Sequence, residues 1–166
     1  MDADKLRELQ APFKARYRAE PPAAVITLRA EGSLSDTEVS CSVDTGRALV
    51  DAGLHTSTGG DGTLACSGDM LLQALVACAG VTLRSVAINR GIEVTGVVRA
   101  EGDLDVRGTL GVDRDAPVGF AAIRLWFDLT STAEPEELDA LLVATERYCV
   151  VYQTLAGRPE LTVRRS

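Results

Sequence analysis

One stretch constrains the fold of this chain more than any other: "SGDMLLQALVACAGVTLRSVAIN", Ser67 to Asn89. Leu71, Leu72, Leu75, Val76, Ala79, Leu83 and Val86 leave little polar circumference on a helix of that length. A helix apolar on most of its surface is buried from several sides, so the rest of the chain must fold around it. Its ends carry their own signals. Ser67 can cap the first turn, Asp69 suits the positive end of the helix dipole, and "NRG" at 89–91 supplies a basic last turn followed by a glycine stop.

The flanking segments predict strands. "AAVITLRAEG", "EVSCSVDTG" and "RALVDAG" are short strand-like runs separated by turn residues, an antiparallel meander. "EVTGVVRAEGDLDVRGTLG" alternates as two strands joined through "AEGD", and "VGFAAIRLWFDLTS" as one, with Ile123, Leu125 and Phe127 on one face. A second helix opens at "EPEEL", where Pro135 fits the first helical position. Leu138, Leu141, Leu142, Thr145, Tyr148, Cys149 and Tyr152 recur along it at steps of three and four, and "ELTVRRS" reads as a closing strand. This order makes an α+β protein. Leu6, Leu9, Phe13 and Tyr17 give a modest helix ended by "AEPP", so residues 1–22 read as an N-terminal helical extension and 23–166 as a single domain.

Several functions are disfavoured. A formal net charge of -7 without a basic stripe argues against nucleic acid. No unbroken apolar run reaches the roughly 18 residues of a membrane span. The opening "MDADKLRELQ" lacks the layout of a secretory signal, which places the protein in the cytoplasm. The segment His55 to Asp69 holds Gly59, Gly60, Gly62 and Gly68 but matches neither GxxxxGK[ST] nor GxGxxG. Cys41, Cys66, Cys78 and Cys149 form no CxxC pair, and His55 is the one histidine, so neither a metal nor another cofactor is expected. In a reducing compartment these thiols are either inert packing or redox chemistry.

Each main helix puts one cysteine on its apolar side, and 149 − 78 = 71 positions separate them. Packing of the helices would let the thiols meet, and a thiol pair near solvent can be oxidised to a sulfenic acid and then to a disulfide. Free cysteine is also among the most buried and inert of residues. Periodicity leaves both readings open.

"SGDMLLQALVACAGVTL" resembles the central-helix signature of the OsmC/Ohr family, and "ERYCVVYQTL" is similar to that family's second cysteine motif. The likeness runs from about Ala24 to the C-terminus, with "VSCSVDTGRALVDAGLHTSTGGDG" fitting less well. The resemblance implies an OsmC-like fold, two central helices wrapped by antiparallel sheets in an intertwined homodimer. It further implies thiol-dependent reduction of organic or hydrogen peroxides, with Cys78 as peroxidatic nucleophile, Cys149 as resolver and a dithiol, lipoylated or otherwise, as reductant.

The departures from the family fall on the positions the chemistry uses. Val150 stands where the peroxidase branches have a proline, so the second helix is expected to run on through Cys149 and make it a poorer resolver. Gly68 stands in place of a glutamate, and Asp69 is the nearest substitute. Nine residues turn a helix through about 900° and advance it about 13 Å, so Asp69 faces away from Cys78 of its own helix. Asp69 is then either a contribution to a partner subunit's site or an ordinary first-turn acid. The activating arginine has no evident source: Arg47, His55 and Arg147 are candidates, Arg147 being also a natural partner for Glu146. Cys66, at the end of the glycine loop, rivals Cys149 as resolver, while Cys41 reads as packing. These departures support a second expectation, an OsmC-like dimer that binds a small apolar ligand without peroxidase activity, and a third, a structural dimer whose cysteines are core.

Overall fold

The computed structural model describes residues 49–111 and 113–165 in full, the backbone at 32–34 and 40–44, and isolated positions among the first 19. The expected N-terminal helix and the strand "AAVITLRAEG" lie outside the described residues, as does Arg47. In chain order the elements are strands β1 (Gly32–Leu34), β2 (Ser40–Asp44) and β3 (Leu49–Gly53), a 3-10 turn at Thr56–Thr58, and β4 (Ala65–Cys66). Helix α1 (Ser67–Arg90), β5 (Val94–Leu104), the short α2 (Val106–Thr109), β6 (Phe120–Ser131), α3 (Pro135–Tyr148) and α4 (Val150–Gly157) follow.

The chain divides into two compact units, one made of 1–11, 74–99 and 125–166, the other of 12–73 and 100–124. The second contains the expected meander. β1 pairs antiparallel with β2, and β2 with β3, while β4 joins β3 in parallel through Ala52 opposite Ala65 and Gly53 opposite Cys66.

The first unit is built on α1. Leu75, Ala79, Leu83 and Ala87 recur every fourth residue and are the buried stripe of the helix. Leu83 and Ala87 form a cluster with Val94 and Leu141, against which Ile92, Phe127, Leu129 and Leu138 pack. In this single chain α1 is therefore covered along one stripe rather than from several sides; Val81 is 73% exposed and Leu71 38%. By length and composition α1 is apolar enough to cross a membrane, with 22% of its most apolar window buried. This differs from the sequence expectation that no apolar run reaches the length of a membrane span: the window tolerates the polar Gln73 and Arg84 because its mean hydropathy stays high.

α1 ends where its sequence says. Gly91 takes φ 71°. Its N–H donates to the Ile88 carbonyl at 3.2 Å, and that of Ile92 donates to Ala87 at 2.9 Å. This is a Schellman closure, which a residue without a Cβ adopts at least cost.

Two expectations about strands are corrected. β5 is one strand running straight through "AEGD", because Gly102 does not turn the chain. A Cβ there would lie 2.5 Å from the ring of Phe120, so the glycine lets that ring lie flat on the strand. β5 hydrogen-bonds with β6. Arg99 meets Asp128 and Asp103 meets Arg124, so the numbering runs in opposite senses and the pair is an antiparallel hairpin. Residues 160–165 of "ELTVRRS" form no strand: Leu161 and Val163 are 88% and 98% exposed, and among the described residues no strand pairs with them.

Candidate active site

α3 starts at a capping box in which Glu134 and Glu137 exchange bonds with the backbone, and Pro135 occupies the first turn. The chain then leaves the helix at one residue. Cys149 has φ -74° and ψ 109°, an extended conformation, and α4 begins directly after it. The Cys149 N–H closes α3 onto Thr145 at 2.9 Å, and the Cys149 carbonyl accepts from Gln153 at 2.9 Å to open α4. The expectation of a helix continuous through Cys149 is thus corrected. Neither proline nor glycine makes the break; two successive β-branched residues, Val150 and Val151, lower helix propensity there and are the one local signal available.

The break leaves the first N–H groups of α4 without helical partners. Cys78, from the middle of α1, brings its sulfur to them. Burial, the largest influence, disfavours the Cys78 thiolate. The N–H of Val151, the Cys149 thiol, the N–H of Val150 and the Thr82 hydroxyl together outweigh it and hold Cys78 below the ordinary thiol value. Cys149 moves the other way. Burial pushes it up, the N–H groups of Tyr152 and Val151 oppose this, and the neighbouring Cys78 adds to the rise by its hydrogen bond and its charge. The two thiols interact directly, and their environments drive their acidities apart. The arrangement makes Cys78 the more acidic of the two sulfurs and leaves Cys149 the better S–H donor toward it.

Cys149 is 1% exposed yet lines a cavity of about 500 Å³ with Arg147, Tyr148, Val150, Gln153 and Pro159. A second cavity, about 440 Å³, is walled by Gly80, Leu83, Arg84, Val94, Val98 and Leu129. Among the described residues, no three of His, Cys, Asp and Glu are grouped to hold a metal ion.

The other candidates stand as follows. Asp69 is exposed in the first turn of α1. His55 caps the 3-10 turn, its Nδ1 accepting from the Ser57 N–H at 3.0 Å. The Arg147 guanidinium lies over the Tyr148 ring, 5.8 Å from its centroid, and is not among the groups acting on Cys78. Cys66 is a half-buried thiol in β4, tied to β3 opposite Gly53 rather than free in a loop. Cys41 sits in β2 opposite Ala52. Thr82 is the functional-site neighbour that sequence reasoning missed; its position four residues after Cys78, one turn along the same face, was the available signal.

A family model described as OsmC-like protein matches residues 60–164, a span that includes both thiols and the helix junction. The chain belongs to the OsmC-like family. Solved structures share its fold. An OsmC-like protein from Mycoplasma pneumoniae is 16% identical, covers 80% of this chain and 89% of its own, and superposes with a TM-score of 0.66. An organic hydroperoxide resistance protein OsmC from Legionella pneumophila is 18% identical over 81% of this chain and 92% of its own, with a TM-score of 0.59. The organic hydroperoxide resistance protein OhrB of Bacillus subtilis is 18% identical over 81% and 93%, with a TM-score of 0.54. No curated protein matches the chain.

Proposed function

We propose that the protein reduces organic or hydrogen peroxides through Cys78 and Cys149. The observation that carries this reading is the Cys78 sulfur at the open start of α4, facing the Cys149 thiol. In the first step the Cys78 thiolate attacks the terminal peroxide oxygen. The O–O bond breaks, Cys78 becomes a sulfenic acid, and the alkoxide leaves as the alcohol after taking a proton. Cys149 then loses its proton and attacks the Cys78 sulfur, forming the disulfide and expelling water. A dithiol, lipoylated or otherwise, returns two electrons and restores both thiols.

The exposed apolar surface of α1 supports the wrapped homodimer of this reading, since OsmC/Ohr proteins are typically dimers. Asp69 is then assigned to the site of a second copy rather than to the Cys78 of its own helix. A reducing compartment such as the cytoplasm supplies the dithiol.

The test is to treat reduced protein with one equivalent of an organic hydroperoxide and map its disulfides by mass spectrometry of the digested chain. The expected product is a Cys78–Cys149 bond with one alcohol released per bond. A Cys66–Cys78 bond moves the resolver to β4, and an unoxidised Cys78 overturns the reading. The second reading, a dimer that binds a small apolar ligand without peroxidase activity, draws on one observation: among the described residues no guanidinium acts on Cys78. It predicts a co-purifying apolar molecule and thiols that stay reduced in peroxide.

A further inference from the structure

The cavity of about 440 Å³ between α1 and the β5–β6 hairpin contains neither Cys78 nor Cys149. Gly80, Leu83 and Arg84 face it from α1 at spacings of three and four, Val94 and Val98 from β5, and Leu129 from β6. Gly80 and Gly96 bring no side chain into the space: a Cβ on Gly80 would meet only Val98, at 3.9 Å, while one on Gly96 would strike the Asp128 carbonyl at 2.0 Å. The walls are therefore mostly aliphatic, and the volume is that of a small-molecule site.

One charged side chain stands among them. The Arg84 guanidinium donates through Nη1 to the Val94 carbonyl at 2.9 Å, which holds its head at the wall and leaves its remaining N–H groups for a ligand. Among the described residues no carboxylate lies within ion-pair distance of it. Asp2 and Glu93 line a neighbouring cavity, which has Arg84, Val94 and Thr95 in common with the first. An anion is thus attracted to Arg84 and repelled from the space beyond it, so its apolar part is directed into the cavity that holds no acid.

We propose that this cavity binds an aliphatic monocarboxylate, its alkyl chain against Leu83, Val98 and Leu129 and its carboxylate on the open edge of the Arg84 guanidinium. A planar guanidinium matches a carboxylate with two parallel hydrogen bonds, which a neutral alcohol of the same length cannot accept. A ligand with a second negative charge would carry it toward Asp2 and Glu93, so the site favours a single one. The proposal holds whether or not the thiols reduce peroxide, since neither cysteine lines the cavity.

The experiment is isothermal titration of octanoate and of 1-octanol into the reduced full-length protein and into Arg84→Gln, Gly80→Leu and Val98→Phe. Octanoate is expected to bind once per chain, about tenfold more tightly than 1-octanol. Arg84→Gln should weaken octanoate about tenfold and leave 1-octanol within about twofold of the parent. Gly80→Leu and Val98→Phe fill the cavity from opposite walls and should each weaken both ligands about tenfold or more; using two such variants guards against one misfolding. A parent that does not bind octanoate overturns the proposal, as do equal affinities for acid and alcohol or an octanoate affinity unmoved in Arg84→Gln. Octanoate binding that survives both cavity-filling variants also overturns it, because the ligand then lies elsewhere. Oxidation of the parent by one equivalent of cumene hydroperoxide is followed in parallel. If Cys78 resists peroxide while octanoate binds through Arg84, peroxide reduction fails and the carboxylate site stands. If Cys78 oxidises while octanoate does not bind, the carboxylate site fails alone.

Discussion

The two long helices end in contrasting ways. α1 stops at Gly91 with a closure written in its own residues: the left-handed glycine and the bonds to Ile88 and Ala87 satisfy the helix locally. α3 stops at Cys149, where no glycine or proline stands, and the polar groups freed on the far side are met by a sulfur from another helix. A local closure needs only its own segment to be right. A closure completed from elsewhere ties the backbone break to the residue that completes it, and here that residue is the more acidic of two facing thiols. The contrast shows how a helix end becomes a site: its unsatisfied donors are left for a partner brought by the fold rather than absorbed nearby.

This comparison can be broken at several points. Removing the partner has the largest effect: Cys78→Ser should reduce peroxide turnover about a thousandfold or more, measured by coupled alcohol release, while circular dichroism shows an intact fold. Cys149→Ser should still allow one oxidation of Cys78, detected as a dimedone adduct, with turnover restored only by added small thiol. The acidities should separate in the parent protein. As pH rises, alkylation of the Cys78 peptide begins below the range of an ordinary thiol and that of Cys149 above it, because one sulfur is favoured as thiolate and the other as thiol. Coincident midpoints would remove the asymmetry on which the site rests.

Changes to the closures themselves are smaller. Gly91→Ala should cost about 1 kcal/mol in urea unfolding without altering Cys78 alkylation, since the glycine contributes only its φ and a Cβ there meets no neighbour. Val150→Pro should change stability by less than about 1 kcal/mol, because Cys149 already has the extended backbone that precedes proline and the position is the first of a helix. It should nevertheless raise the Cys78 midpoint, since one of the two amides on the sulfur is lost. A stability loss as large as that of a mid-helix proline would mean that the helix runs through the junction in solution.

What could be read from the sequence follows the same division. α1, from Ser67 to its glycine stop, Pro135 at the start of α3, and the strand at Phe120–Ser131 all carry local signals, and all stand where those signals put them. The Cys149 break and the amides of Val150 and Val151 on Cys78 depend on contacts between segments far apart in the chain. Gly102 misled for a related reason: a glycine that makes room for Phe120 looks, in sequence, like one that turns the chain. Cys66 reads as loop-borne until its pairing with Gly53 is seen.

The separation of the two sulfurs along the chain has a thermodynamic consequence. A bond between Cys78 and Cys149 would close a loop spanning 71 positions. Chain entropy alone makes such a crosslink worth about 4 kcal/mol against unfolding. The resting dithiol and the oxidised form would therefore melt at well-separated temperatures, and each peroxide consumed would leave the molecule harder to unfold until reductant returned it.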